Sequence, residues 1–227
     1  MPVSFRACLL LALSFAAAGC APTAPRVLLL RNFGSVVPGD VEPSLRGAML
    51  RILPSTDART SAEDWGSVAS DECDGMDPLE PTRSAETQWH EALSAAKAAG
   101  SGPRHQIGSP HNLHTVSSVN SPIDWLDETM RDALTAQGVD VRDEDGDFPS
   151  VRFVLRHMSA RLDMTTQCVL AVDVVVTDPG GSTRTETFAA YGSKVAWMGS
   201  SWEYYLAARR AGALVAGRAL RWIAGGR

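Results

Sequence analysis

No apolar run in this sequence reaches the length of a bilayer crossing, and positive charge is nowhere concentrated. Lysine and arginine number 21 against 26 acidic residues, a formal net charge of -5. The two signs are interspersed and no basic stripe could neutralise phosphates, so nucleic acid is excluded as a partner. The longest apolar stretch, Ala7 to Ala18 broken only by Ser14, falls short of the roughly 20 residues that span hydrocarbon. There are four cysteines but no CxxC pair, which removes a thioredoxin-type redox site. No GxSxG elbow presents a serine nucleophile, and no glycine-rich loop after a strand cradles phosphate.

Histidine is also sparse, five in all. His111 and His114, in SPHNLHTV, stand three apart, but the sequence nominates no third ligand for a metal. His90 falls in a helical stretch, His157 in a strand and His105 near a Gly-Pro turn, each read as surface or half-buried. Asp71, Asp74 and Asp77 lack the alternate spacing, central glycine and closing Glu of a calcium loop. Carboxylates are common in the loops and single out no acid–base pair. The expectation is a non-enzymatic chain with no cofactor and no metal.

What is present begins with an address. Arg6, the apolar run and the small residues that follow have the layout of an export leader over residues 1–19. The alternative, a buried first helix, would have to be apolar on every side and end in Gly19, Cys20, Ala21 and Pro22. Ala17 to Cys20, AAGC, resembles the bacterial lipobox, although the family prefers Leu where Ala17 stands. The resemblance implies cleavage before Cys20 and lipidation of its thiol and new N-terminus. One acyl chain binds a membrane only marginally, so more than one makes a stable anchor. Residues 20–25 then read as a tether, with Pro22 and Pro25 opposing a helix. Ala21, in place of Asp, implies the outer membrane by resemblance to enterobacterial sorting. The expected location is therefore lipid-anchored at the outer membrane and facing the periplasm.

Removing the leader takes Cys8 with it and makes the net charge one unit more negative. Lipid on Cys20 leaves Cys73 and Cys168 in an oxidising compartment. A bond between them would close a loop of about 95 residues, worth about 4–5 kcal/mol by chain entropy. The other reading has Cys168 as a buried strand residue and Cys73 in a surface loop.

Residues 26–227 read as one domain with a loop-rich insertion at about 60–119. RVLLLRNF (26–33) is a short buried strand closed by Gly34. LRGAMLRILP (45–54) is ambiguous: Leu45, Met49 and Ile52 nearly suit a helix, while Met49 to Leu53 suits a strand ending before Pro54, the reading preferred. Within the insertion, the stretch from Ser84 to Gly100 has helix start and stop signals. NSPIDWLDETMRDALTAQG (120–138) is the clearest helix, with Ser121 as cap, Pro122 in the first turn and Gly138 at the end. Asp127 and Arg131 form an i,i+4 pair on its outer side. Strands at 151–162, 168–178 and 182–192 follow, the last two joined through DPGG as a hairpin. Trp202 to Trp222 is a closing helix with an apolar stripe from Tyr204 through Ala208, Ala211, Val215 and Ala219. The fold class is α+β: a two-layer sandwich of a mainly antiparallel, mixed sheet with helices on one face.

SPIDWLDETMRDALTAQGVDV, FPSVRFVLRHMSARL and TTQCVLAVDVVVTDPGGSTRTETFAAYG, followed by the helix from Ser201, resemble the YajG-type outer-membrane lipoproteins. These are related in fold to the auxiliary lipoproteins of ABC-type lipid transport systems and to the N-terminal domain of TolB. Asp57-Ala58-Arg59 is similar to the Asp-x-Arg that follows an early strand in such proteins. The resemblance covers about half the chain and implies a non-enzymatic envelope protein.

Two functions remain. One is an accessory lipoprotein that holds another envelope protein at the membrane. Trp197, Met198, Trp202, Tyr204 and Tyr205 cluster where the last helix begins; half or more should be core, the rest an apolar contact patch. The other is a binder of lipid or an envelope fragment in a groove between helices and sheet.

Overall fold

The computed structural model describes residues 25–32, 43–59, 83–107, 116–162, 165–195 and 199–225. The leader, Cys20, Cys73, Asp71 to Asp77, His111, His114, Trp197 and Met198 lie outside these residues. Within them, the chain forms β1 (Arg26–Leu28), a 3-10 turn (Pro43–Leu45), β2 (Met49–Asp57), α1 (Arg83–Ala98), β3 (His105–Gln106) and β4 (Val116–Ser118). Then come α2 (Pro122–Ala136), β5 (Asp140–Arg142), β6 (Ser150–Leu162), β7 (Thr165–Thr177), β8 (Thr183–Val195) and α3 (Ser201–Gly225).

The larger sheet has the order β5-β2-β6-β7-β8. β6, β7 and β8 are an antiparallel meander, and β2 pairs in parallel with both β5 and β6. A second sheet, order β1-β4-β3, joins β1 to β4 in parallel and β4 to β3 antiparallel. The architecture is the expected two-layer α+β sandwich. The first strand does not enter the main sheet, however. Val116 to Ser118, inside the stretch read as loop-rich, is its partner.

Period-two alternation explains the main layer. Cys168, Leu170, Val172, Val174 and Val176 on one face of β7 are at most 2% exposed. They meet Val151, Phe153 and Leu155 of β6 and the inner sides of α2 and α3 in one core. Each fully buried branched or aromatic side chain contributes about 1.5–3 kcal/mol, an upper figure because unfolded chains already bury some surface. On the opposite face Val169, Asp173 and Val175 stay half-buried. Helices therefore cover one side of the sheet.

β2 does not stop at Pro54. It continues to Asp57, and its register against β6 shifts between Leu53 and Thr56. Proline lacks an N–H for the ladder, and an irregularity of this kind is where a strand tolerates it.

α2 follows its signals closely. Ser121 Oγ accepts from the N–H groups of Ile123 (3.2 Å) and Asp124 (3.4 Å), and Pro122 takes the first turn. Gly138, at φ 79°, lets Val139 N–H reach Leu134 C=O and its own N–H reach Thr135 C=O, a Schellman ending. The expected Asp127–Arg131 pair is not made. Arg131 reaches Asp143 at 2.8 Å, and Asp127 accepts from the Ser55 hydroxyl, because β2 and the β5–β6 connection flank the helix.

α3 packs along β7 and β8 through Ala207, Ala208, Ala211, Val215 and Ala219, all nearly or fully buried. Small side chains let its backbone approach the sheet. The closest approach is at Gly192, where a Cβ would stand 2.0 Å from Ala207 O and 2.6 Å from Ala211 N.

Candidate interaction surface

Past β1, Leu29 to Asn32 have left the sheet. Their backbone groups need partners there, and side chains from three directions supply them. Leu30 N–H donates to Asn120 Oδ1 at 2.8 Å, and Asn120 Nδ2 donates back to Leu30 C=O. Trp89 Nε1 of α1 donates to Leu29 C=O at 2.8 Å. Tyr205 Oη of α3 donates to Arg31 C=O at 2.7 Å. Two residues of aromatic type are thus fixed by the carbonyls of one short segment.

The start of α3 orients this group. Glu203 N–H donates to Ser200 Oγ at 3.2 Å, and Ser200 N–H donates to Glu203 Oε2 at 2.5 Å. That reciprocal capping box satisfies two N–H groups at the helix start. It places Trp202 and Tyr205 one turn apart, their rings stacked with centroids 5.0 Å apart. Trp89 closes on them, 5.4 Å from Trp202 and 5.5 Å from Tyr205. Leu29, Leu93, Val119 and Leu206 complete a small core separate from the main one.

The expected apolar patch is accordingly corrected for two of its members. Trp202 is 8% exposed and Tyr205 fully buried, because α1 lies over them. Tyr204 faces the main core instead, and burial pushes its hydroxyl up to about 12. Trp89, the residue that brings this site together, was not singled out by sequence. Its signal was present in the i, i+4, i+7 series Trp89, Leu93, Ala96.

Beside the aromatic group, Asn32 Nδ2 donates to Asp132 Oδ2 at 3.0 Å, and Thr129 Oγ1 donates to Asn32 Oδ1 at 3.3 Å. Burial, helped by the charge of Asp132, raises the Glu128 carboxyl above its ordinary range.

The Asp57-Ala58-Arg59 segment is a separate feature at the end of β2. Arg59 Nε donates to Asp57 Oδ1 at 2.9 Å and Nη2 to Oδ2 at 2.6 Å, a fork on a carboxylate. Arg59 Nη1 also reaches Gln106 C=O at 3.4 Å, linking the main sheet to β3. The hydrogen bonds from Arg59 hold Asp57 below the usual carboxylate range.

Cys168 stands apart from both features, 1% exposed and carrying a free thiol. Burial alone pushes that thiol up to about 12. The pairing with Cys73 involves a residue outside the described ones.

His157 Nε2 and Ser159 Oγ are 2.8 Å apart, but they lie along β6, where the strand's ladder to β7 engages the backbone on either side. Among the described residues, no three His, Cys, Asp or Glu side chains gather into a metal site, and no helix is long and apolar enough to cross a membrane. The aromatic site is already filled from within the chain: Trp89 of α1 packs on Trp202 and Tyr205, and the Leu29, Leu30 and Arg31 carbonyls accept from Trp89, Asn120 and Tyr205.

Against solved structures, the fold is shared with protein XCC0632 from Xanthomonas campestris, a protein of the DUF330 family model. The TM-score is 0.50 at 11% identity, over 89% of this chain and 97% of that one. An uncharacterized protein gives a TM-score of 0.49 at 12% identity, over 88% and 98%. Rare lipoprotein B from Shewanella oneidensis gives 0.36 at 18% identity, over 44% and 86%. No family model and no curated protein matches the sequence. At 11% identity the XCC0632 likeness is one of architecture: the two chains share an α+β sandwich.

Proposed function

We propose that this chain is an outer-membrane lipoprotein, anchored through Cys20 and facing the periplasm, with a non-enzymatic role of holding another envelope protein. The observation that carries the reading is the junction of leader and fold. AAGC ends at Cys20, and β1 begins at Arg26. Residues 20–25 reach about 20 Å when extended, so lipid on Cys20 would hold the β1 end of the domain close to the bilayer. The finer kinship with YajG-type lipoproteins belongs to the same reading. It is supported by the capped helix α2, the long β7–β8 hairpin and the Asp57–Arg59 fork.

The test is intact mass and membrane fractionation of the full chain in a Gram-negative host, beside Cys20→Ala. Cleavage before Cys20 with added acyl chains, and outer-membrane recovery lost in the variant, is the expected result. An unlipidated, soluble product from both chains would overturn the reading.

A further inference from the structure

The two ends of β8 are treated differently by the helix beside it. β8 (Thr183–Val195) is the terminal strand of the larger sheet and pairs with β7 in an unbroken antiparallel register. In such a ladder every second residue turns its N–H and C=O away from the neighbouring strand. At the hairpin, Asp178 N–H donates to Ser182 C=O at 2.9 Å. The outward residues of β8 are therefore Thr183, Thr185, Thr187, Ala189, Tyr191 and Ser193. Two of their carbonyls, toward the far end, are occupied from α3: Arg210 Nη1 donates to Ser193 C=O and Arg218 Nη1 to Ala189 C=O. An edge with open backbone groups is a template for another strand, and charged side chains laid over it oppose that pairing. The near end has no such guard. Thr183, Thr185 and Thr187 are exposed, and nothing among the described residues takes up their outward backbone groups.

The bare stretch reads Thr-Arg-Thr-Glu-Thr, and its charges are complementary to themselves. We propose that Thr183–Thr187 pairs antiparallel with the same stretch of a second copy of this chain, about a two-fold axis at Thr185. That register sets Thr185 opposite itself and Thr183 opposite Thr187, so the outward groups meet as hydrogen-bonded pairs. It also sets Arg184 opposite Glu186 of the second copy, on both sides of the axis. These are non-hydrogen-bonded positions, where side chains stand closest and opposite charges attract. Moving the axis by one residue would instead set Arg184 against Arg184 or Glu186 against Glu186, which is unfavourable. Arg184 has donor capacity left: Nη1 and Nη2 donate to the Trp222 and Ile223 carbonyls at 3.2 and 3.1 Å, while Nε has no acceptor among the described residues. Glu186 is exposed and takes part in no ion pair among them. The same register brings Ala189 opposite Gly181 of the second copy, within its β7–β8 turn. Pairing therefore ends where Arg218 begins to cover the edge. Neither the lipid anchor nor an envelope partner enters this contact.

Sedimentation velocity of the full chain over a concentration series reads the pairing, and a reversible monomer–dimer equilibrium is the expected result. Thr185→Pro removes an N–H that faces away from β7, which an edge strand tolerates, and should weaken association roughly tenfold. Glu186→Arg sets like charges opposite on both sides of the axis and should weaken it by about tenfold. Arg184→Glu alone should do the same. An equimolar mixture of the Glu186→Arg and Arg184→Glu chains should associate as the parent does, because every arginine then faces a glutamate. Parent-like amide protection of β7 and α3 in hydrogen exchange shows that a variant is folded. A parent chain that stays monomeric at every concentration would overturn the second copy as the partner. Association that Thr185→Pro and Glu186→Arg leave unchanged would overturn this edge as the surface, whether or not Arg184→Glu folds without its hold on α3.

Discussion

Replacing Gly192 by alanine puts the central packing argument at risk in a single atom. The added Cβ would meet two backbone atoms of α3, Ala207 O at 2.0 Å and Ala211 N at 2.6 Å. Ordinary contact needs about 3.4 Å, so α3 would have to retreat roughly 1.4 Å, and a gap of even 0.5–1 Å forfeits a quarter to a half of a contact's attraction. Backbone inside a helix cannot swing aside as a side chain would. The facing residues Ala207, Ala208 and Ala211 are too small to refill the space. Overpacking of this kind costs about 3 kcal/mol, a large share of the roughly 5–15 kcal/mol that holds a domain together. With a urea slope of about 2 kcal/mol/M, the midpoint should fall by about 1.5 M. Gly180→Ala is the control, since it has neither a neighbour within 4 Å nor a positive φ, and should stay within about 0.5 kcal/mol. A Gly192→Ala midpoint matching that of the control would refute the close approach of α3 to β8.

Further outcomes follow from single groups. Ser121→Ala removes the acceptor for the Ile123 and Asp124 N–H groups and should cost about 1 kcal/mol, read as a lower thermal midpoint. Asp57 has its pKa lowered in the fold. Its contribution is therefore present above the unfolded value, near 4, and is lost as pH falls through the folded value. Asp57→Asn should flatten the fall of stability below about pH 4, and parallel acid limbs for both chains would contradict the Arg59 fork. The Cys168 thiol, pushed up to about 12, should resist alkylation at pH 8 until the chain unfolds. A bond to Cys73 would instead show as a mass deficit of two hydrogens in the intact, unreduced chain.

Much of the architecture was legible because its causes are local. The Ser121–Pro122 start and Gly138 end of α2 are dihedral and capping preferences that act within a few residues. The β7–β8 hairpin is read from DPGG and from the alternation of Cys168, Leu170, Val172 and Val174. Pro54 was misread because a local rule, that proline stops a ladder, yields where a parallel register shift absorbs the missing N–H. Asp127 and Arg131 were misread for a related reason: i,i+4 spacing permits a pair, but Asp143 and Ser55 arrive from other elements and compete.

The sequence by itself determined the periodic elements, the caps and the balance of charge. Each depends on neighbours along the chain or on composition. Only the tertiary structure decided that Val116 to Ser118 is the partner of the first strand, since strand pairing joins residues far apart with no motif to announce it. It likewise decided the fate of Trp202 and Tyr205. Aromatics at the start of a helix can serve as a surface or as a core, and the difference is whether another element has apolar side chains to lay over them. Trp89 supplies that cover here, from a helix lying more than a hundred residues earlier in the chain.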